Sequence, residues 1–79
     1  MGTFTELSGQ VVGRQIVAGG HARSVRLSAG LSLTDLADVV GCTAAACSLW
    51  ESGKRRPSGD VGRRYLAALA QLVDSGRLT

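Results

Sequence analysis

The residues best placed to do chemistry in this chain are its cations. Lys54, Arg55, Arg56, Arg63 and Arg64 fall within eleven residues, and eight of the nine basic residues of the 79-residue chain are Arg. The planar Arg fork suits bidentate recognition of phosphate oxygens. A net charge of +3 is modest, so the clustering, more than the total, favours a polyanion partner. The acids Asp35, Asp38, Asp60 and Asp74 are better explained as helix starts and solvated faces than as paired catalytic carboxylates. With no Ser-His-Asp set and no Gly-rich phosphate loop, the chain is not expected to be an enzyme. The two cysteines, Cys42 and Cys47, are too few for a disulfide framework, and no CxxC pair or His cluster accompanies the single His21. No metal, other cofactor or small-molecule ligand is expected. A redox thiol needs exposure and a depressed pKa, neither of which the sequence shows.

The elements that must position these cations are written in the spacing of residues Leu33 to Gly53. Ala37 stands four residues before Gly41, Cys47 six after it, and Trp50 three after Cys47. A small residue at Ala37 lets a second helix approach the first. Gly41 supplies the left-handed conformation of a tight turn. Cys47 and Trp50 share the inward face of the second helix. Ser32-x-x-Asp35 has the form of a capping box, and Thr43 can cap the second helix, from about Ala44 to Ser52. The spacing therefore predicts a helix-turn-helix over residues 32–53, with the basic loop from Lys54 to Pro57 directly behind it.

The remainder is predicted from periodicity and breakers. Residues 1–8 carry little pattern and are expected to be a loose N-terminal arm. A helix from about Ser8 to Ala18 is diluted by Gly13, and Gly19-Gly20 is a start, break or kink, since each interior Gly costs about 1 kcal/mol. A helix from His21 to Ser28 turns Ala22 and Val25 inward. A last helix, capped by Ser58 with Asp60 in its first turn, presents a stripe of Val61, Tyr65, Ala68, Leu69 and Leu72 and stops at Gly76. Trp50 and Tyr65 are assigned to the core, with the Tyr65 hydroxyl at its rim. Apolar residues make up 44% and aromatics 4% of the chain, so the core must be mostly Leu, Val and Ala. The length suits one domain over residues 1–79. No apolar run approaches the roughly 18 residues of a spanning helix and no signal-peptide pattern opens the chain, so it is expected to be cytoplasmic and off the membrane.

From His21 to Leu69 the chain resembles the lambda-type repressor and Cro family, the group that includes regulators of the xenobiotic-response-element class. The likeness rests on Gly30-Leu31-Ser32, Ala37, Gly41, Thr43, Trp50-Glu51, Gly53-Lys54 and Arg56-Pro57-Ser58. It implies an all-α, compact bundle of four to five helices that binds double-stranded DNA as a homodimer. It also implies that Ala44, Ala45, Ser48 and Leu49 occupy the base-reading positions of the recognition helix. The departure there is plain. Such positions usually carry Gln, Arg, Ser or Asn, whereas Ala and Leu offer apolar contact, for example to thymine methyls. Either specificity comes from Ser48, Thr43, methyl contacts and DNA shape, or this helix reads little sequence. Leu33 stands where the family often has a phosphate-binding Gln, which moves that contact to Ser32 or Thr34 or removes it. The likeness further implies a pair between Arg26 and Glu51, and, because Cys42 and Cys47 stand where the family places Val or Ile, that both cysteines are small buried apolar groups.

Two functions follow as expectations. The first is a sequence-specific transcriptional regulator of Cro, repressor or antitoxin size. Its DNA-binding set is Ser32, Thr34, Thr43, Ala44, Ala45, Ser48, Leu49, Lys54, Arg55 and Arg56, with the last three on phosphates. The alternative is a protein-interaction module that presents Ala44, Ala45, Ala46 and Leu49 to another protein. The dimer surface is expected on the last helix, with Leu66, Leu69, Val73 and Leu78, or on the first segment, with Val12 and Ile16.

Overall fold

The computed structural model describes the backbone of residues 2–78 and the side chains of residues 8–74. Five helices follow one another: α1 (Gly2–Ala18), α2 (Ala22–Ser28), α3 (Leu33–Val40), α4 (Ala44–Glu51) and α5 (Gly59–Leu78). No strand occurs among the described residues. The radius of gyration is 11.4 Å, close to the roughly 12 Å of a compact domain of this length. The expected all-α bundle with a helix-turn-helix is the observed architecture.

Two of the three short helices, α3 and α4, have side-chain caps written into the chain. Ser32 Oγ accepts the Asp35 N–H at 3.0 Å while Asp35 returns a carboxylate oxygen to the Ser32 N–H at 3.1 Å. Two N–H groups that would otherwise lack partners are thus satisfied together. The bond from Ser32 N–H holds the Asp35 carboxyl below the usual carboxylate range. Thr43 Oγ1 accepts the Ala46 N–H at 3.0 Å and so starts α4. Between them Gly41 adopts φ 87°, the left-handed conformation that ends α3 and reverses the chain. Ala22 opens α2 one residue later than expected, because His21 serves as its N-cap.

The core joins Ala22 of α2, Leu36, Ala37 and Val40 of α3, Cys47 and Trp50 of α4, and Tyr65, Leu66 and Leu69 of α5. Trp50 and Tyr65 stack obliquely with ring centroids 5.0 Å apart. Of the stripe that the periodicity of α5 predicts, Tyr65 and Leu69 are buried and Val61, Ala68 and Leu72 are half-buried against the core, while Leu66 and Ala70, outside that stripe, are buried with them. The Tyr65 hydroxyl is not at a rim: Tyr65 is fully buried and its oxygen has no hydrogen-bond partner among the described residues. Burial pushes that phenol well above its ordinary pKa, with the Glu51 carboxylate adding to the shift.

Three expectations need correction. Residues 2–8 continue α1 instead of forming an arm. No Pro interrupts that stretch, and once a helix is anchored each further residue adds a hydrogen bond without a new nucleation cost. Gly76 does not stop α5, which runs through it to Leu78. A glycine ends a helix only where the chain turns into the left-handed region, and Gly76 keeps the helical course. Leu66 and Leu69 are buried within the molecule, so they are not available to a partner copy. They face inward because α1 and α5 lie against each other. A Cβ placed on Gly13 would fall 2.1 Å from the Leu66 carbonyl oxygen. Gly13, which dilutes α1 when read along the chain, is the reason it fits there.

Candidate nucleic-acid interface

The second helix of the helix-turn-helix, α4, has its two sides sorted by burial. Cys47 and Trp50 face the core, whereas Thr43, Ala45 and Ser48 are exposed. Ala44, Ala46 and Leu49 are half-buried, and Ala44 and Ala46 pack against the core cluster. The outward line of α4 is therefore Thr43, Ala45 and Ser48, with Leu49 at its border. Ser32 and Thr34, at the start of α3, are also exposed. Ser32 Oγ already accepts from Asp35, which leaves its hydroxyl proton for a second partner.

What holds α4 at its angle is Arg26. Its guanidinium donates twice to Glu51, from Nε to Oε2 at 2.7 Å and from Nη2 to Oε1 at 3.0 Å. A third N–H, on Nη1, donates to the Leu31 carbonyl at 2.8 Å. The two side chains are 8% and 10% exposed, so the pair is nearly buried. Donation to Glu51 raises the Arg26 pKa against the opposing pull of burial, so the pair stays ionised. One side chain thus ties α2, the loop into α3 and the end of α4 together.

A second Arg fixes the turn from α5. Arg64 Nε donates to the Val40 carbonyl at 2.9 Å, satisfying a carbonyl left open at the end of α3. Arg63 pairs with Asp60 one turn back along α5, at the surface. Neither is the solitary cation that the run of charges suggests.

The loop that follows α4 keeps its cations in solvent. Gly53, at φ 78°, turns the chain. The Leu49 carbonyl then accepts both the Lys54 N–H at 3.0 Å and the Arg55 N–H at 3.2 Å. Lys54, Arg55 and Arg56 are exposed, and none has a side-chain hydrogen bond among the described residues. Arg55 and Arg56 line a cleft of about 520 Å³ whose other wall is the end of α1, with Arg14, Val17 and Ala18. Sequence reasoning does not single out Arg14. About forty residues separate it from the loop, and only the packing of α1 brings it there.

These elements and this geometry can be set beside known proteins. No curated protein and no solved structure matches the chain. A family model described as helix-turn-helix matches residues 23–71, more than half of the chain. The matched stretch contains α3, the Gly41 turn, α4, the basic loop and most of α5. It also holds the Arg26–Glu51 pair that sets their angle. The chain belongs to the helix-turn-helix family of the lambda repressor and Cro type.

Proposed function

We propose that this protein is a cytoplasmic transcriptional regulator that occupies a short operator in double-stranded DNA, with no catalytic step of its own. The observation that carries this reading is the adjacency of two surfaces. The exposed line Thr43, Ala45 and Ser48 on α4 continues directly into the solvent-facing cations Lys54, Arg55 and Arg56. A helix laid in the major groove would bring the loop behind it onto the flanking phosphates. Ser32 and Thr34 at the start of α3 supply hydroxyl donors to the neighbouring backbone. Arg14 adds a further cation across the cleft from Arg55 and Arg56.

On this reading, sequence choice comes from few groups. Ser48 and Thr43 supply polar contacts, while Ala45 and Leu49 supply apolar contact to thymine methyls. DNA shape supplies the rest. The rival use of α4 as a protein-docking face has less area to offer, because Ala44 and Ala46 pack toward the core.

The test is a salt titration of duplex binding. Replacing both Arg55 and Arg56 by Ala should weaken binding to all duplexes about equally. It should flatten the log–log salt dependence by roughly 0.9 for each phosphate that the loop no longer neutralises. A double variant with the wild-type slope would remove the loop from the interface.

A further inference from the structure

The sulfurs of Cys42 and Cys47 lie 3.1 Å apart, and their places in the chain explain why. Thr43 is the N-cap of α4. Cys42 is therefore the residue before the cap, and Cys47 the fourth residue of the helix. These are the two positions whose side chains meet in a hydrophobic staple, the contact that fixes how a chain enters a helix. Here both members of the staple are thiols. Their separation is set by a backbone anchored on either side: Gly41 closes α3 just ahead, and Thr43 Oγ1 caps α4 between them.

We propose that Cys42 and Cys47 form a dithiol–disulfide site, which low-molecular-weight disulfides oxidise to a bridge tying the turn to the recognition helix. A disulfide is about 2.05 Å long, so the sulfurs need close by only about 1 Å. The pair is also unequal in the way such exchange requires. Cys42 is half-buried and reachable from solvent, whereas Cys47 is wholly buried behind it. Burial pushes the Cys47 thiol up to about 12, with the Cys42 contact adding to the effect. Cys47 therefore stays protonated while Cys42 meets the reagent.

The chemistry balances in two exchanges. The Cys42 thiolate attacks one sulfur of the small disulfide RSSR, forming a mixed disulfide and expelling RS⁻, which takes up the proton Cys42 released. Cys47 then attacks the Cys42 sulfur and expels the second RS⁻, and the Cys47 proton ends on that thiolate. Two electrons pass from the cysteine pair to RSSR, giving one internal disulfide and two RSH. The second step is intramolecular, and its proximity compensates for the reluctance of Cys47 to ionise.

The test uses the full chain, reduced and then exposed to oxidised glutathione, followed by non-reducing intact-mass spectrometry and iodoacetamide labelling. The wild type should lose two hydrogens, carry no glutathione, and, when labelled after unfolding in urea, resist alkylation at both cysteines until dithiothreitol is added. Cys47→Ala should accumulate one glutathione on Cys42, and Cys42→Ala should accumulate none. Circular dichroism establishes that each variant is folded, and the wild-type result decides the matter even if one is not. A stable adduct on the wild type, two thiols that remain alkylatable, or a disulfide between two copies would each overturn the proposal.

Discussion

Arg26 and Tyr65 show two opposite fates for a polar group in this core. Arg26 spends three of its N–H groups on two acceptors, the Glu51 carboxylate and the Leu31 carbonyl. Taking both charges out of water offsets much of their attraction, so the net stabilisation from the pair is small, while removing one partner strands the other. Glu51→Ala should cost on the order of 3 kcal/mol in urea unfolding, and adding Arg26→Leu should recover part of that cost. Effects that simply add, each under about 0.5 kcal/mol, would reduce the pair to a surface contact. The Tyr65 hydroxyl lies within the same core without a partner among the described residues. An unsatisfied buried hydroxyl carries a desolvation cost of about 1–3 kcal/mol. Tyr65→Phe removes the oxygen and keeps the ring against Trp50. Its urea midpoint should equal or exceed that of the wild type, and a clear drop would reveal a partner for the oxygen.

At the scale of elements, the contrast lies between helices that announce themselves and one that does not. The helix-turn-helix is legible in the sequence because its signals are local: Ser32 and Asp35, Gly41, and Thr43 all act within a few residues of one another. The same holds for the basic run Lys54–Arg56. Helix α1 is hard to read because its contribution is the absence of side chains. Gly13 lowers helix propensity when read along the chain, yet it admits the Leu66 backbone of α5, more than fifty residues away. Arg14 is hidden for the same reason, since its place beside Arg55 and Arg56 exists only after α1 has docked. Two substitutions separate propensity from fit. At Gly9 a new Cβ would sit 3.9 Å from Ala67, in ordinary contact. Gly9→Ala should therefore stabilise the protein by up to about 1 kcal/mol. Gly13→Ala meets backbone at 2.1 Å, and thermal unfolding should show a destabilisation of about 1–3 kcal/mol. Equal effects at the two sites would mean that α1 does not rely on this approach.

The whole molecule measures 32 × 29 × 23 Å, and that size limits what one copy can cover. Two recognition helices on successive turns of one DNA face stand about 34 Å apart, so a two-part operator calls for two copies. A surface that paired two copies could not use Leu66 or Leu69, which are buried inside. Ile16 also packs against the core. Val12 is outward with Val11, at 40% and 51% exposed, Val73 is half-buried, and the side chain of Leu78 lies outside the described residues. On operator DNA, sedimentation should find two copies per duplex, whether or not the free protein is monomeric. One copy per duplex at saturation would defeat the paired reading.

Trp50 gives the molecule something its chemistry does not require. It is the chain's one indole, and Tyr65 its one phenol, and the two rings sit 5.0 Å apart in the core. Trp50 belongs to the recognition helix yet looks away from the line of Thr43, Ala45 and Ser48. With Trp50 buried at 6% exposure, its emission should be that of an indole shielded from water while the fold is intact, and fed by light absorbed at Tyr65. Unfolding separates the rings and wets the indole, whereas a ligand on the outer face touches neither. The helix thus carries an optical reporter on its blind side, one that responds to the integrity of the turn and is silent to occupancy of the surface opposite.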